Sequence, residues 1–404
     1  MAHLALVVPK ESYRAEAFLD AARRRGHRLT ILTDARTPGA ASVLQLDSLE
    51  PDDALGNLAS ELAGLEVDAV IGVDESSVRL AAALSDELGL SAGRLGATVR
   101  ATDKRLLREA LTRAELPQPR FATRPLGTWA ALTRAERAAL LTELGDDLVV
   151  KPTRCSGSRG VIRTSLDALP DALALLEGVV ESDAEIQVEQ YVPGEEYAVE
   201  GILTDQRLEL LMVFEKPGHG SGPYFWETIY LGPAGINDAL AANLHATLER
   251  AAHALGLLDT PVHAEVRVQD GLVTVLELAP RTIGGRCAGA IRFSDGRRLE
   301  DLVLERALGD RTPARTTHRA IGILMLETPA DGVLVGFEGV DEVERLPWIE
   351  GVELTATPGQ FLLAPPRSER YPGFVFAGGP SRHQVARSLE EARTLLKVVV
   401  RPPG

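Results

Sequence analysis

Glu265 and Glu277 stand twelve positions apart in VHAEVRVQDGLVTVLELAPRTIGG, each inside a short apolar strand pattern. A carboxylate buried in such a strand without a partner is expensive. Two of them flanking a Gly-containing turn point to a shared cation. The turn decides whether they can meet. If Gln269-Asp270-Gly271 forms a three-residue loop with Gly271 in the left-handed region, the glutamates project from one face as diagonal neighbours. A two-residue Asp-Gly turn sends them to opposite faces. A solvent-facing hairpin with scattered charges fits the same alternation.

Two further segments offer groups that suit a nucleotide. In VVKPTRCSGSRGV (149–161), Lys151 ends a strand and a Gly/Ser-rich loop follows. An ammonium and several backbone N–H groups there can hold phosphate oxygens. The lysine precedes the glycines, so the P-loop order is absent, and an ordinary surface loop competes with the phosphate reading. Cys155 lies in this loop, but no histidine motif accompanies it to make it a nucleophile. In VEQYVPGEEYAVEG (188–201), a strand could offer backbone groups to a base, and Glu195 or Glu196 could grip ribose hydroxyls. A plain strand–turn–strand with solvated acids is the alternative.

The stretch FEKPGHGSGPYFWETIYLGP (214–233) gathers Lys216, His219, Tyr224, Phe225, Trp226, Glu227 and Tyr230 in a chain with only 4% aromatic residues. Rigid aromatic walls with a few polar groups suit a small-molecule pocket; a packed β-bulge would use the same residues. His263 shares a face with Glu265 and reads equally well as a structural residue.

The elements that must position these groups begin with βαβ alternation: strands over 3–8, 28–32 and 67–73, and helices over 12–25 and 76–90, the second capped by Asp74 or Ser76. That pattern predicts a parallel sheet with helices on it. It is Rossmann-like, although Pro9-Lys10-Glu11-Ser12 stands where a G-x-G-x-x-G turn would be. A helix starts at Thr102 or Asp103 and ends before Pro117. Strands follow over 147–152 and 185–192, then two antiparallel strands (EYAVEGIL, RLELLMVFEKPG) and a long amphipathic helix over 236–257. The last 85 or so residues are strand-rich with Gly/Pro turns, closed by a helix near 383–396 and the strand LKVVV.

Composition sets the limits. A chain of 404 residues exceeds one ordinary core, and 45% hydrophobic with 25% charged residues fits a soluble globular protein. A net charge of −15 argues against a nucleic-acid face or a polybasic membrane patch. Two cysteines without ligand spacing suit a reducing compartment, so a cytoplasmic location is expected. The N-terminus MAHLALVVPKES has no basic leader pattern, and no apolar run reaches the roughly 20 residues of a membrane span.

Taken in order, these segments resemble the ATP-grasp superfamily over roughly residues 1–310. The resemblance implies an ATP-grasp fold of mixed α/β and α+β type. Its parts are a Rossmann-like pre-ATP-grasp domain over 1–98, a small lid subdomain over 99–189, a large subdomain with the metal site over 190–315, and an α+β C-terminal domain over 316–404. It implies ATP and Mg2+ (or Mn2+) as cofactors. Lys104, in the TDK element, and Lys151 resemble the two phosphate lysines, and Ser156, Gly157, Ser158 and Gly160 belong to the phosphate-covering loop. Glu189, Gln190, Tyr191 and Val192 resemble the adenine-reading linker. Glu196 resembles the ribose carboxylate, and Glu265 and Glu277 the metal carboxylates.

One departure is informative. The family often has Glu-x-Asn at the second carboxylate, where this chain has Glu277-Leu278-Ala279. The E-x-A-x-R form resembles L-amino-acid ligases, and the last 85 or so residues look more loosely like their C-terminal domain. That likeness implies substrate contacts from Arg281, which with Lys151 also carries a catalytic role, and from Glu75, Lys216, His219, Glu227, Gly284 and Gly285. The expected activity is an ADP-forming carboxylate–amine ligase acting on amino acids or similar small molecules, with a homodimer as the family-level expectation. Two rivals share the fold: a biotin carboxylase-like carboxylase, against which stands the lack of a Met-Lys-Met segment, and a non-catalytic ATP-binding protein.

Overall fold

A computed structural model describes the chain apart from residues 11, 36–41, 91–93, 130, 219–222, 227, 369 and 403–404, and apart from the side chains of 53 and 54. The N-terminal βαβ pattern forms a four-stranded parallel sheet in the order Val43–Gln45, Arg28–Thr33, His3–Val7, Ala69–Gly72. Leu4, Leu6, Ala5 and Val7 are fully buried because helices cover both faces, as a parallel sheet requires. The helix after the last strand spans Val78–Glu87. Its N-cap residue is Ser77, without a side-chain cap bond, rather than Asp74 or Ser76. Asp74 instead closes a turn with Ser77, its carbonyl accepting from Ser77 Oγ at 2.9 Å.

The helix expected to begin at Thr102 or Asp103 spans Lys104–Arg113, capped by Asp103, which accepts from the N–H groups of Arg105 and Leu106 at 3.0 and 3.2 Å. A helix the sequence reading did not assign, Leu95–Thr102, runs directly into it. Asp103 is extended (φ −120, ψ 115) and breaks the two apart, which turns Lys104 inward at the first position of the second helix.

A four-stranded antiparallel sheet, ordered Phe121–Pro125, Glu185–Gln190, Asp147–Pro152, Ile162–Ser165, carries its own core, including Leu148, Val150, Ile186 and Val188. The strand read over 185–192 stops at Gln190, and 191–194 connects this sheet to the next.

The largest sheet has eight strands in the order Leu272–Ala279, Pro261–Gln269, Glu195–Thr204, Arg207–Glu215, Ile229–Gly232, Ala320–Met325, Gly373–Gly379, Ile349–Leu354. It runs without interruption past residue 316, through the pairing of Ile229–Gly232 with Ala320–Met325. Helix Asp238–Leu255 packs on it through Leu244, Leu248 and Leu255, all fully buried; each contributes about 1.5–3 kcal/mol of burial. A three-stranded sheet, Phe361–Leu362, Gly332–Glu338 and Lys397–Arg401, completes the chain.

Candidate active site

The hairpin carrying Glu265 and Glu277 closes in a two-residue turn, not a three-residue loop. Gln269 pairs with Leu272, and Asp270 and Gly271 both have positive φ (51° and 80°). By that turn alone the glutamates would face apart. A β-bulge corrects the register: Val266 pairs with Val275 but Glu265 pairs with Glu277, leaving Leu276 as the extra residue. The carboxylates are therefore direct cross-strand partners on one face. Arg108 stabilises the bulge, donating to the Val275 and Leu276 carbonyls at 3.2 and 2.7 Å from a fully buried position.

Both glutamates line a cavity of about 780 Å³ to which every sheet region contributes. Tyr13, Arg14 and Glu75 come from the N-terminal sheet region and Lys151 and Glu189 from the small sheet. Gln190, Tyr191 and Val192 come from the strand end and the connection, and Thr355, Gln360 and Tyr371 from the last part of the chain.

Cations from three directions oppose the carboxylates. Lys104 Nζ lies 3.9 Å from Glu277 Oε2 and donates to the Cys155 carbonyl. Lys216 Nζ lies 3.4 Å from Glu265 Oε1 and is paired to Glu196 Oε1. Arg281 donates to Glu75 at 2.5 Å. Burial lowers the pKa of Arg281, but Glu75 and Glu277 outweigh it and keep the guanidinium charged.

Lys151 and Glu189 sit diagonally across adjacent strands, since Lys151 pairs with Gln187 and Val149 with Glu189. Lys151 Nζ is 2.7 Å from Glu189 Oε2, while Arg108 Nε and Gln187 Nε2 each donate to Oε1 at 2.7 Å. Burial alone would push the Glu189 carboxyl up, but Arg108 and Lys151 overcome it and hold it at about 2. Burial pulls Lys151 down, with Arg108 and Lys104 adding to the effect and Glu189 opposing it. Glu189 thus faces inward as a counter-ion within its strand rather than in the connection.

Tyr191 forms an aromatic shelf with Phe225, the rings stacked 6.3 Å apart. Arg163 lies 3.7 Å and Arg267 4.8 Å from the Tyr191 ring centre. Arg267 also clamps Glu196 Oε2 with two donors at 3.0 and 2.8 Å.

The sequence-derived set is largely assembled around this cavity: Glu75, Lys104, Lys151, Ser156, Gly157, Ser158, Glu189, Gln190, Tyr191, Val192, Glu196, Glu265, Glu277, Arg281, Gly284 and Gly285 all line it. Gly160 does not. Its N–H bonds the Pro366 carbonyl at 2.9 Å, tying the loop to the last part of the chain. Lys216 stands behind the wall, its side chain 1% exposed between Glu196 and Glu265. The Gly285 N–H is already given to the Tyr13 hydroxyl at 3.0 Å. His219 and Glu227 lie outside the described residues.

Sequence reasoning did not assign Arg108, Arg267, Glu200 or Tyr13. A signal existed for Arg108, a lone arginine on the apolar side of an amphipathic helix. Glu200 is likewise an acid inside the apolar run AVEGIL. Glu200 and His263 form a buried pair at 2.7 Å, and His263 Nε2 stands 3.8 Å from Glu265 Oε1. Burial lowers the His263 pKa, but the two carboxylates outweigh it and raise it.

Two opposed carboxylates with oxygen donors facing a cavity suit Mg2+ or Mn2+. Among the described residues, no three His, Cys, Asp or Glu side chains converge closely enough to hold a metal without moving. Glu265 and Glu277, 23% and 25% exposed, turn toward Lys216 and Lys104. Among the described residues, no helix is long and apolar enough to cross a membrane.

Residues 144–290 match the ATP-grasp domain, and residues 324–401 match L-amino acid ligase C-terminal domain 2. A D-alanine–D-alanine ligase of Idiomarina loihiensis is 34% identical over 146 residues, 33% of this chain and 44% of that protein. An alanine–anticapsin ligase of Bacillus subtilis is 24% identical over 301 residues, 68% of this chain and 61% of that one. The chain thus spans less than two thirds of the length of these curated relatives. In the solved L-amino acid ligase of Bacillus licheniformis, the fold superposes with a TM-score of 0.82 at 22% identity, covering 100% of this chain and 99% of the other.

Proposed function

For a chain that carries an ATP-grasp domain joined to an L-amino acid ligase C-terminal domain, we propose an ATP-dependent, ADP-forming ligase that joins a small carboxylate, an amino acid or its like, to an amine. The observation that carries this reading is the meeting of Glu265, Glu277, Lys104, Lys151 and Arg281 on one 780 Å³ cavity. That set holds polyphosphate and a carboxylate together, and it includes no Ser/His/Asp or Cys/His nucleophile.

A carboxylate oxygen of the first substrate attacks the γ-phosphorus of ATP, the bond to the bridging oxygen breaks, and ADP leaves. The amine then attacks the acyl carbon, phosphate departs and the amine releases its proton. Glu265 and Glu277 are the residues that would hold a divalent cation, which would supply positive charge against the phosphate oxygens. Lys104, turned inward by the break at Asp103, and Lys151, held by Glu189, take up the rest of that charge. The Tyr191–Phe225 shelf, flanked by Arg267, receives the base, and Glu196 the ribose. Arg281, fixed by Glu75, faces the reacting carboxylate and stabilises negative charge as the amine adds. The 155–160 segment, tied to Pro366, covers the phosphates and keeps water from the activated acyl group.

Incubation with ATP, Mg2+ and pairs of amino acids tests this. ADP, phosphate and a coupled product should appear together for at least one pair. ATP turnover without coupled product across the whole panel would defeat the ligase assignment.

A further inference from the structure

Arg14 carries a buried charge that the reaction outlined above does not use. It is the N-cap residue of helix Ala15–Arg24, in the connection after the first parallel strand, where such sheets receive ligands. A cation is unfavourable at a helix N-terminus, and this one lines the cavity while only 9% exposed. Its Nη1 donates to neutral oxygens alone: the Thr282 carbonyl at 2.8 Å, Thr282 Oγ1 at 3.2 Å and, weakly, the Val73 carbonyl at 3.5 Å. Nε is buried without a partner. Among the described residues no carboxylate forms an ion pair with Arg14. Glu300 feels its charge from farther off, and burial pushes that carboxyl up. A buried cation left so is costly unless an anion joins it.

Three arginines, Arg14, Arg281 and Arg286, line the cavity here with two carboxylates between them. Arg281 pairs with Glu75 at 2.5 Å and Arg286 with Glu353 at 2.6 Å, which leaves Arg14 over. Arg281 Nη1 also donates to the Thr282 carbonyl, at 3.0 Å. Since both guanidinium groups bond that one oxygen, their Nη1 atoms stand no more than roughly 6 Å apart, where like charges favour an anion beside them. A Cβ at Gly284 would lie 3.4 Å from both Arg14 Nη2 and the Tyr13 hydroxyl, so the bare glycine leaves both groups open to the cavity. The hydroxyl accepts from the Gly285 N–H and keeps its own proton to donate.

When two amino acids are coupled, the free carboxylate carbon lies roughly 3–3.7 Å from the new amide carbon. On the ligase reading above, on which this inference rests, Arg281 faces that acyl carbon. Its neighbour Arg14 then stands where the second carboxylate falls. We propose that Arg14, assisted by the Tyr13 hydroxyl, is a specificity-determining residue that holds the carboxylate carried by the amine substrate beside its amino group. Simple amines, which leave the buried guanidinium unpaired, are thereby rejected.

The full chain is assayed with ATP and Mg2+ on pairs of amino acids, and each amine substrate that couples is compared with its carboxamide and its decarboxylated amine. The unmodified sequence should prefer the free acid in kcat/KM by roughly tenfold to a hundredfold, the range of a hydrogen bond to a charged group. Arg14→Gln should raise the KM of the amine substrate by a similar factor and erase that preference, while the KM values of ATP and of the carboxylate substrate change little. Arg14→Lys should keep part of the preference, and Tyr13→Phe should reduce it with the guanidinium intact. A preference undiminished in Arg14→Gln overturns the assignment, as does a KM rise confined to the carboxylate substrate, which would put Arg14 on the reacting carboxylate instead. Should Arg14→Gln fail to fold, the other proteins decide: equal rates with acid and amide in the unmodified sequence, or a preference untouched in both Arg14→Lys and Tyr13→Phe, overturns it. No coupled product with any pair overturns the ligase reading and this assignment together, whereas coupling that ignores the carboxylate of the amine overturns the assignment alone.

Discussion

Glu189→Gln keeps the side-chain shape and removes the charge shared by two buried cations. Arg108 and Lys151 both lie 2.7 Å from the carboxylate, and Glu189 is 2% exposed. The fall of its pKa from the usual 4.5 to about 2 corresponds to roughly 3 kcal/mol. That agrees with the cost of breaking a buried pair from one side. The folded pKa lies below the unfolded one, so this stabilisation is complete above the unfolded value of 4.5 and fades as pH falls toward 2. Urea unfolding should therefore show Glu189→Gln weaker by roughly 3 kcal/mol near pH 7, with the gap closing on acidification. A functional effect accompanies it. Burial already draws the Lys151 pKa down and Glu189 opposes that. Without Glu189 the ammonium is lost at lower pH, so ATP affinity in the variant should decline as pH rises above neutral while the unmodified protein changes less. Equal stability at neutral pH, or ATP affinities that run parallel across that pH range, would refute the counter-ion reasoning.

Glu277→Gln should cut Mg2+-dependent ADP formation at least a hundredfold while a fluorescent nucleotide still binds; near-normal turnover would remove this residue from the metal site. Arg267→Met releases Glu196 and takes a cation from the Tyr191–Phe225 shelf, so nucleotide affinity measured by calorimetry should fall about tenfold, near 1.4 kcal/mol. Gly194 has φ +115, and a Cβ there would stand 2.4 Å from the Val268 carbonyl oxygen. Gly194→Ala should cost roughly 2–3 kcal/mol in urea unfolding and weaken nucleotide binding, because the strain falls on the connection beside Glu196.

Local chemistry made several elements readable from the sequence. Asp147–Pro152 and Gly373–Gly379 form strands where their apolar runs lie, and Asp103 caps a helix by accepting from the N–H groups of its first turn, as an aspartate N-cap does. The order of the site residues along the chain carried the ATP-grasp fold. What sequence could not supply was register. The facing of Glu265 and Glu277 depends on a bulge at Leu276, and that bulge depends on Arg108, about 170 positions away, filling its carbonyls. Glu189 lies in the strand read from the sequence and resembles part of the adenine-reading linker; its pairing with the diagonal neighbour Lys151 depends on the register across the sheet. Lys216 stands among aromatic residues in the sequence, but one residue past the strand Arg207–Glu215 its side chain turns toward Glu196.

The eight-stranded sheet has a consequence for anyone cutting the chain. A truncation after residue 315 would not release a trimmed catalytic unit with a smooth boundary. It would strip Ala320–Met325 from Ile229–Gly232 and leave that strand's N–H and C=O groups open beside the buried side chains of Ile229, Tyr230 and Leu231. Such an edge recruits strands from other molecules. Shortened forms should therefore accumulate as insoluble aggregates, and a chimera exchanging the last part of the chain must preserve the pairing Ile229–Leu324 through Gly232–Ile321, not merely the length of the join.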